Sequence, residues 1–234
     1  MERGSNNSFF TGVIIPAAGQ GTRFGGKKQF KSFNSTKLLS HIITVFSHSR
    51  SISEIVVVVP ENYVEKINIQ TRETSENINI QVVSGGEKRQ DSVFNGMNAL
   101  SKKCKLVCIH DAVRPFVTVG MIEKTINACG QYDGAIMAVP AKDTLKKVTN
   151  DRIQSTVDRN EIWHAQTPQT FRREKIEKAL QSAKKEGITG SDEAFLLERL
   201  GYNVAVVEGT FYNLKITTPD DWRISEAMWK IRHG

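Results

Sequence analysis

Short apolar runs alternate with amphipathic segments along nearly the whole chain, and the two periods separate strands from helices. Val13 to Ile15 reads as a buried strand. Leu38, Leu39, Ile42, Ile43 and Phe46 recur at helical spacing. Ile55 to Val59 is an unbroken β-branched run, as a strand covered on both faces requires. Ile78, Ile80 and Val82 alternate with polar residues in a further strand over 78–83. A helix over 90–100 follows, with Val93, Met97 and Leu100 on one stripe, then a strand over 106–109. Ile122, Ile126 and Cys129 align on a helix over 119–129, and 135–139 is again strand-like. This βαβα rhythm predicts an α/β fold, a parallel sheet with helices on both faces.

The rhythm breaks after Pro140. Segments 144–148 and 153–157 alternate with period two across Thr149-Asn150-Asp151-Arg152, and Asn150-Asp151 suits a tight turn. The stretch 141–163 therefore reads as a β-hairpin arm standing off the parallel core, a candidate for dimerisation. Helices over 175–185 and 192–200, a strand over 204–207 and a closing helix from Pro219 complete the pattern. Pro219 suits a first helical turn, and Asp220 and Asp221 complement its dipole. No repeat or linker divides the chain, so residues 1–234 are expected to form one domain, with 1–11 a disordered lead-in.

Composition narrows the classes. At 234 residues and 39% hydrophobic composition the chain can build a substantial core. It has no apolar run of about 18 residues, which argues against a membrane span. Cys104, Cys108 and Cys129 are odd in number and match no zinc spacing; they read as reduced thiols of a cytoplasmic protein. The net charge of +7 raises the question of nucleic acid. Its basic pairs are short and scattered, without interleaved aromatics, so small polyanionic substrates explain the charge better.

The densest chemistry follows the first strand, in Pro16-Ala17-Ala18-Gly19-Gln20-Gly21-Thr22-Arg23-Phe24-Gly25-Gly26-Lys27-Lys28. Small residues let the backbone approach a ligand, and exposed N–H groups of such a loop make an anion-binding concavity. Arg23, Lys27 and Lys28 add full charges, an arrangement suited to a nucleoside triphosphate. A P-loop is excluded, because Gly26-Lys27 is followed by Lys28 and not by Ser or Thr. The dinucleotide fingerprint is excluded too, because Gly19, Gly21 and Gly25 are spaced one residue too long. Ligands of open parallel sheets bind beyond the carboxyl ends of the strands. Further polar clusters fall on that edge: Gly85 to Ser92, His110 to Pro115, and Lys142-Asp143-Thr144.

With those residues assembled, the chain resembles the 2-C-methyl-D-erythritol 4-phosphate cytidylyltransferases of the non-mevalonate isoprenoid pathway. The matching blocks include Pro16-Ala17-Ala18-Gly19-x-Gly21-x-Arg23, Lys28-Gln29-Phe30, Gly85-Gly86-Glu87-x-Arg89-x-Asp91-Ser92, His110-Asp111-Ala112-x-Arg114-Pro115, Val157-Asp158-Arg159-Asn160, Trp163 to Gln169, and Asn213-Leu214-Lys215. They run in family order from Val13 to Trp222.

The resemblance implies a Rossmann-like nucleotidyltransferase sheet and transfer of CMP from CTP to methylerythritol 4-phosphate, with Mg²⁺. It implies catalytic roles for Arg23 and Lys28. It sets Ala17, Ala18, Gly86, Glu87 and Ser92 around cytosine and ribose, beside the loop glycines Gly19 and Gly21. It sets Asp111, Arg114, Thr167, Ser191 and Lys215 around the second substrate. Asp111 is also a candidate Mg²⁺ ligand, with the ion held mainly by CTP phosphates. Thr144 and Arg159 match residues that the arm delivers to a partner's site, so a homodimer with shared sites is expected. Glu87 stands where many relatives have Asp, and Ser191 where the family has Thr. His110 and His164 are expected to be structural, because the chemistry needs no imidazole. Two other readings stand beside this one: a D-ribitol 5-phosphate cytidylyltransferase, which shares the fold and much of the motif set, and a non-catalytic nucleotide-binding protein.

Overall fold

The protein is described by a computed structural model covering residues 10–72 and 78–233. Most of the expected lead-in, residues 1–9, lies outside the described residues. Thr11 already belongs to a strand.

In chain order the main elements are β1 (Thr11–Pro16), two short strands β2 (Ser32–Phe33) and β3 (Thr36–Lys37), α1 (Leu38–Ser47), β4 (Ile52–Val59), α2 (Val64–Arg72) and β5 (Asn79–Ser84). After these come α3 (Arg89–Ala99), β6 (Leu106–Ile109), α4 (Val119–Ala128), β7 (Gly134–Pro140), β8 (Leu145–Thr149) and β9 (Arg152–Val157). The last are β10 (Trp163–Arg172), α5 (Arg173–Glu186), α6 (Glu193–Glu198), β11 (Val204–Glu208) and α7 (Pro219–His233). Among the described residues, seven strands form one sheet in the order β11-β7-β10-β6-β1-β4-β5.

Alternation along the strands sorts the core into two layers. Val13 and Ile15 face one side with Val57, Cys108 and the apolar faces of α1 and α4. Ile14 faces the other with Val56, Val107, Ile109 and residues of α3 and α5. Helices thus cover both faces, as the periodicity predicts. The closing helix has a reciprocal cap: Asp221 Oδ2 accepts the N–H groups of Thr217 and Thr218, both at 2.8 Å, and Thr218 Oγ1 accepts the N–H of Asp221 at 3.2 Å.

Two elements depart from the sequence reading. The segment 64–72 is a helix that the pattern left unassigned; it buries Ile67 and Thr71 and little else. The larger departure is β10, which pairs antiparallel with both β6 and β7, so the sheet is mostly but not wholly parallel. Its buried positions include Gln166, Thr167, Gln169 and Thr170, which hide it from any search for apolar runs. The register between β10 and β7 shifts between Ala165 and Gln169, the kind of irregularity that re-aims side chains near functional sites.

The predicted hairpin is present. Among the described residues β8 and β9 pair only with each other, around Asn150 and Asp151 at φ 49° and 59°, the left-handed pair that a two-residue hairpin turn needs. Val148 and Ile153 on it are 54% and 65% exposed, so the described residues leave these two apolar side chains of the arm uncovered.

The chain leaves β1 for β4 and β5 on one side and later returns to β6 on the other. The switch point between β1 and β6 is where an open sheet offers a crevice at its carboxyl edge.

Candidate active site

A cleft of about 480 Å³ opens at that switch point. Its walls are the end of β1 and the glycine loop (Pro16 to Gly21), Lys28 and Gln29, the loop Gly86 to Arg89, and Asp111 to Val113 beyond β6. A second cavity of about 180 Å³ lies beside it, lined by Arg114, Thr167, Ser191 and neighbours. Arg89, Asp111 and Lys215 line both, so the two are compartments of one site.

Backbone geometry shapes the larger compartment. Gly21 has φ 69°, and a Cβ there would lie 2.0 Å from the Gly26 carbonyl oxygen; only glycine fits. The loop is pinned from inside by Gln29, whose Nε2 donates to the carbonyls of Ala17 and Gly19, both at 2.8 Å. The opposite wall is braced by Ser92, buried in α3. Its Oγ accepts the Gly86 N–H at 3.2 Å and donates to the Lys88 carbonyl at 3.2 Å. Asp91 accepts the Lys88 N–H at 3.0 Å. The Ser92 hydroxyl therefore holds the loop that carries Gly86 and Glu87, while Glu87 itself is exposed to the cleft.

Lys28 carries the site's least settled charge. It is buried although cationic, on a short 3₁₀ turn over 28–30. Burial lowers its pKa from the ordinary 10.5, nearby Arg23 and Lys215 push the same way, and only Asp221 opposes them. Its Nζ lies 5.3 Å from the centroid of the Phe24 ring, a weak partner for an ammonium. An anion entering the cleft would relieve all of this at once. Arg23 sits on the exposed turn Thr22–Phe24, outside the lining of both cavities, and contributes to the field at Lys28.

The carboxylate of Asp111 is the hub between compartments. Arg89 Nε donates to Oδ1 at 3.1 Å, Lys215 Nζ to Oδ2 at 2.8 Å, and Arg114 Nε stands 3.6 Å from Oδ2. Burial works to raise its pKa, but Arg89, Lys215 and Arg114 outweigh burial and hold the carboxyl well below the usual range. Arg89 also makes a forked contact with buried Glu193, at 2.7 and 2.9 Å. Burial raises the Glu193 carboxyl, opposed by Arg89. Both bonds come from the one nitrogen, Arg89 Nη1, which donates to the two carboxylate oxygens.

The polar strand β10 supplies the remaining order. His110 Nε2 lies 3.2 Å from the Arg114 carbonyl, which can only accept, so Nε2 carries the proton. Nδ1 then accepts from Thr167 Oγ1 at 3.0 Å, and the same Oγ1 accepts the Asp111 N–H at 3.1 Å. Full burial pushes the His110 pKa down to about 3, so the ring is neutral. It is a structural link, as the sequence reading expects. Asn213 ties the same strand by donating to Gln166 Oε1 at 3.1 Å and to the Thr167 carbonyl at 2.9 Å.

Most of the residues singled out in the sequence thus converge. Ala17, Ala18, Gly19, Gly21, Lys28, Gly86, Glu87, Ser92, Asp111 and Lys215 line the larger compartment, and Arg114, Thr167 and Ser191 the smaller. Thr144 and Arg159 stay apart, exposed at the arm; Arg159 donates to the Lys142 carbonyl at the arm's base. The sequence reading assigned no role to Gln29, Arg89 or Glu193. Gln29 and Arg89 stood inside quoted blocks, but nothing in the spacing pairs Arg89 with a residue 104 positions away.

Comparison with known proteins agrees with this geometry. Residues 11–230 match the family model described as 2-C-methyl-D-erythritol 4-phosphate cytidylyltransferase. The chain is 40% identical over 218 residues to the protein of that name from Halalkalibacterium halodurans, covering 92% of this chain and 95% of that one. It is 41% identical over 226 residues to the one from Syntrophus aciditrophicus, covering 95% and 97%. The crystal structure of 4-diphosphocytidyl-2C-methyl-D-erythritol synthase from Anaerococcus prevotii superposes with a TM-score of 0.85 at 31% identity, covering 96% of this chain and all of that one. The Thermus thermophilus 2-C-methyl-D-erythritol 4-phosphate cytidylyltransferase gives 0.78 at 31% identity, covering 94% and 99%. The chain belongs to the 2-C-methyl-D-erythritol 4-phosphate cytidylyltransferase family.

Proposed function

We propose that this enzyme transfers CMP from CTP to 2-C-methyl-D-erythritol 4-phosphate, giving 4-diphosphocytidyl-2-C-methyl-D-erythritol and pyrophosphate for isoprenoid precursor synthesis. The observation that carries the reading is Lys28, a buried ammonium with a depressed pKa in the wall of a glycine-loop cleft. It lies in the compartment that shares Asp111 and Lys215 with a smaller polar one.

CTP takes the larger compartment, its base and ribose against Ala17, Ala18, Gly86 and Glu87 and its phosphates along Gly19 to Lys28. The acceptor takes the smaller compartment, between Arg114, Ser191 and Lys215, with Thr167 bracing its wall. An oxygen of the acceptor phosphate attacks the α-phosphorus of CTP. A new P–O bond forms as the bond to the bridging oxygen breaks, and that electron pair leaves on pyrophosphate. The nucleophile is largely ionised near neutral pH, so no general base is required, in keeping with a neutral, internally bonded His110. Positioning and cationic stabilisation carry the catalysis, with Lys28 and Arg23 acting on the charge that grows on the reacting and leaving oxygens.

The chain's own donors do not fit a dedicated Mg²⁺ site. Both oxygens of Asp111 are engaged by cations, and no cluster of three metal-binding side chains occurs among the described residues. We therefore assign the metal to the nucleotide, taken up as magnesium-CTP, and not to Asp111. The exposed apolar residues of the arm support a homodimer in which Thr144 and Arg159 complete the partner's acceptor compartment. The three cysteines are free and buried, which supports a cytoplasmic location. No described helix is long and apolar enough to cross a membrane.

Pyrophosphate release with magnesium-CTP tests the reading, with methylerythritol 4-phosphate and ribitol 5-phosphate compared side by side. A higher kcat/KM with the first is expected. A preference for the second would keep the chemistry and change the acceptor. Release with neither, from folded protein, would leave only nucleotide binding.

A further inference from the structure

Three consecutive side chains at the start of α3 reach across to one distant stretch. Lys88 Nζ donates to Thr189 Oγ1 at 3.1 Å. Arg89 Nη1 donates to both carboxylate oxygens of Glu193, the first residue of α6. Gln90 Nε2 donates to the Ile188 carbonyl at 3.0 Å, and Gln90 Oε1 accepts the Gly190 N–H at 2.9 Å. Residues 86–89 line the nucleotide compartment, and the gripped stretch, the loop before α6 and that helix's first residue, carries Ser191 at the wall of the smaller one. Together the three contacts bracket the two compartments.

The bracket fixes the middle of the loop, whose ends are held elsewhere: the Ile188 N–H donates to the Ala183 carbonyl at 2.8 Å, and Asp192 accepts from Gln169 Nε2 at 2.8 Å. The loop forms neither helix nor strand between α5 and Asp192, the N-cap of α6. Its turn is tight enough that a Cβ at Gly190 would lie 2.8 Å from the Asp192 carbonyl. Gln90 supplies it with an amide that both donates and accepts, as a neighbouring strand would. No carboxylate or hydrocarbon of that size does both. Gln90 itself lines neither compartment of the site.

We propose that Gln90 is a positioning residue for the acceptor compartment: by holding residues 188–190 it sets the place of Ser191 relative to Asp111 and the nucleotide. The proposal rests on the reading that the smaller compartment takes the acceptor.

Steady-state kinetics of wild type, Gln90→Leu, Gln90→Glu, Ser191→Ala and the Gln90→Leu/Ser191→Ala pair test it, with melting temperatures to confirm folding. Losing two hydrogen bonds to the loop, Gln90→Leu is expected to raise the acceptor KM about tenfold while the KM for CTP stays within about twofold. Gln90→Glu keeps acceptance from Gly190 but opposes the Ile188 carbonyl, so it should fall between the two. Because Gln90 acts through the loop that carries Ser191, the double variant should lose less than the product of the single losses. Equal effects on both substrates, no effect at all, or strictly multiplicative losses in the pair would overturn the proposal while leaving the function intact. A wild type unable to use the acceptor would overturn both.

Discussion

Lys28→Met is expected to lower kcat by about a hundredfold to a thousandfold while the affinity for CTP changes by less than about tenfold. The reason is where the ammonium stands. It is buried beside two other cations, and on the proposed reading it meets its full complement of negative charge only as the α-phosphorus becomes five-coordinate. A second signature follows from the same fact. The folded-state pKa of Lys28 is lowered, so folding favours its neutral form. Where the ammonium is charged in folded and unfolded chains alike, only the folded chain bears the cost of burying it. Removing it should therefore raise the melting temperature of the ligand-free protein. The gain is present at pH values below the lowered pKa and disappears above the ordinary value of 10.5, where both states are neutral. Single-turnover kinetics and thermal melts of one preparation check both signatures. Unchanged turnover would remove Lys28 from the chemistry, and a melting temperature that falls would contradict the electrostatic reason for its role.

Mixing two inactive variants should restore activity. If the arm lends Arg159 to the neighbouring subunit, Arg159→Ala and Lys28→Ala homodimers each have two damaged sites. A heterodimer has one intact site, formed by Lys28 of one chain and Arg159 of the other. Random exchange of equal amounts makes half the dimers mixed, so about a quarter of wild-type activity should return. The check is turnover after subunit exchange, with mixed dimers verified by differential tagging. No recovery in a sample proven to contain heterodimers would mean that the arm's apolar residues serve something other than a shared site.

The α/β layering was legible because it rests on burial by apolar side chains. The runs at Val13, Ile55 and Ala135 and the stripes at Leu38 and Ile122 each fell on the element they implied. β10 was not legible, because its buried face is built from amides and hydroxyls. Gln169 donates to Asp192 at 2.8 Å, Thr170 meets Thr125 at 2.8 Å, and Thr167 meets His110; these partners lie 23 to 57 positions away. Periodicity sees apolar residues and is blind to polar ones that find partners only in the fold. The site divides the same way. The glycine loop was legible as a candidate because further polar clusters, Gly85 to Ser92 and His110 to Pro115, fell on the same sheet edge. The Arg89–Glu193 pair and the Gln29 brace are contacts between distant or unremarkable residues, and only the folded chain brings them together.

Phosphorus NMR of the enzyme with magnesium-CTP and methylerythritol 4-phosphate tests the central claim most directly. The expected result is loss of the triphosphate and sugar-phosphate resonances, with a coupled diphosphate pair and free pyrophosphate growing in equal amounts. CMP and pyrophosphate without that diphosphate pair, or an unchanged spectrum from correctly folded protein, would contradict it.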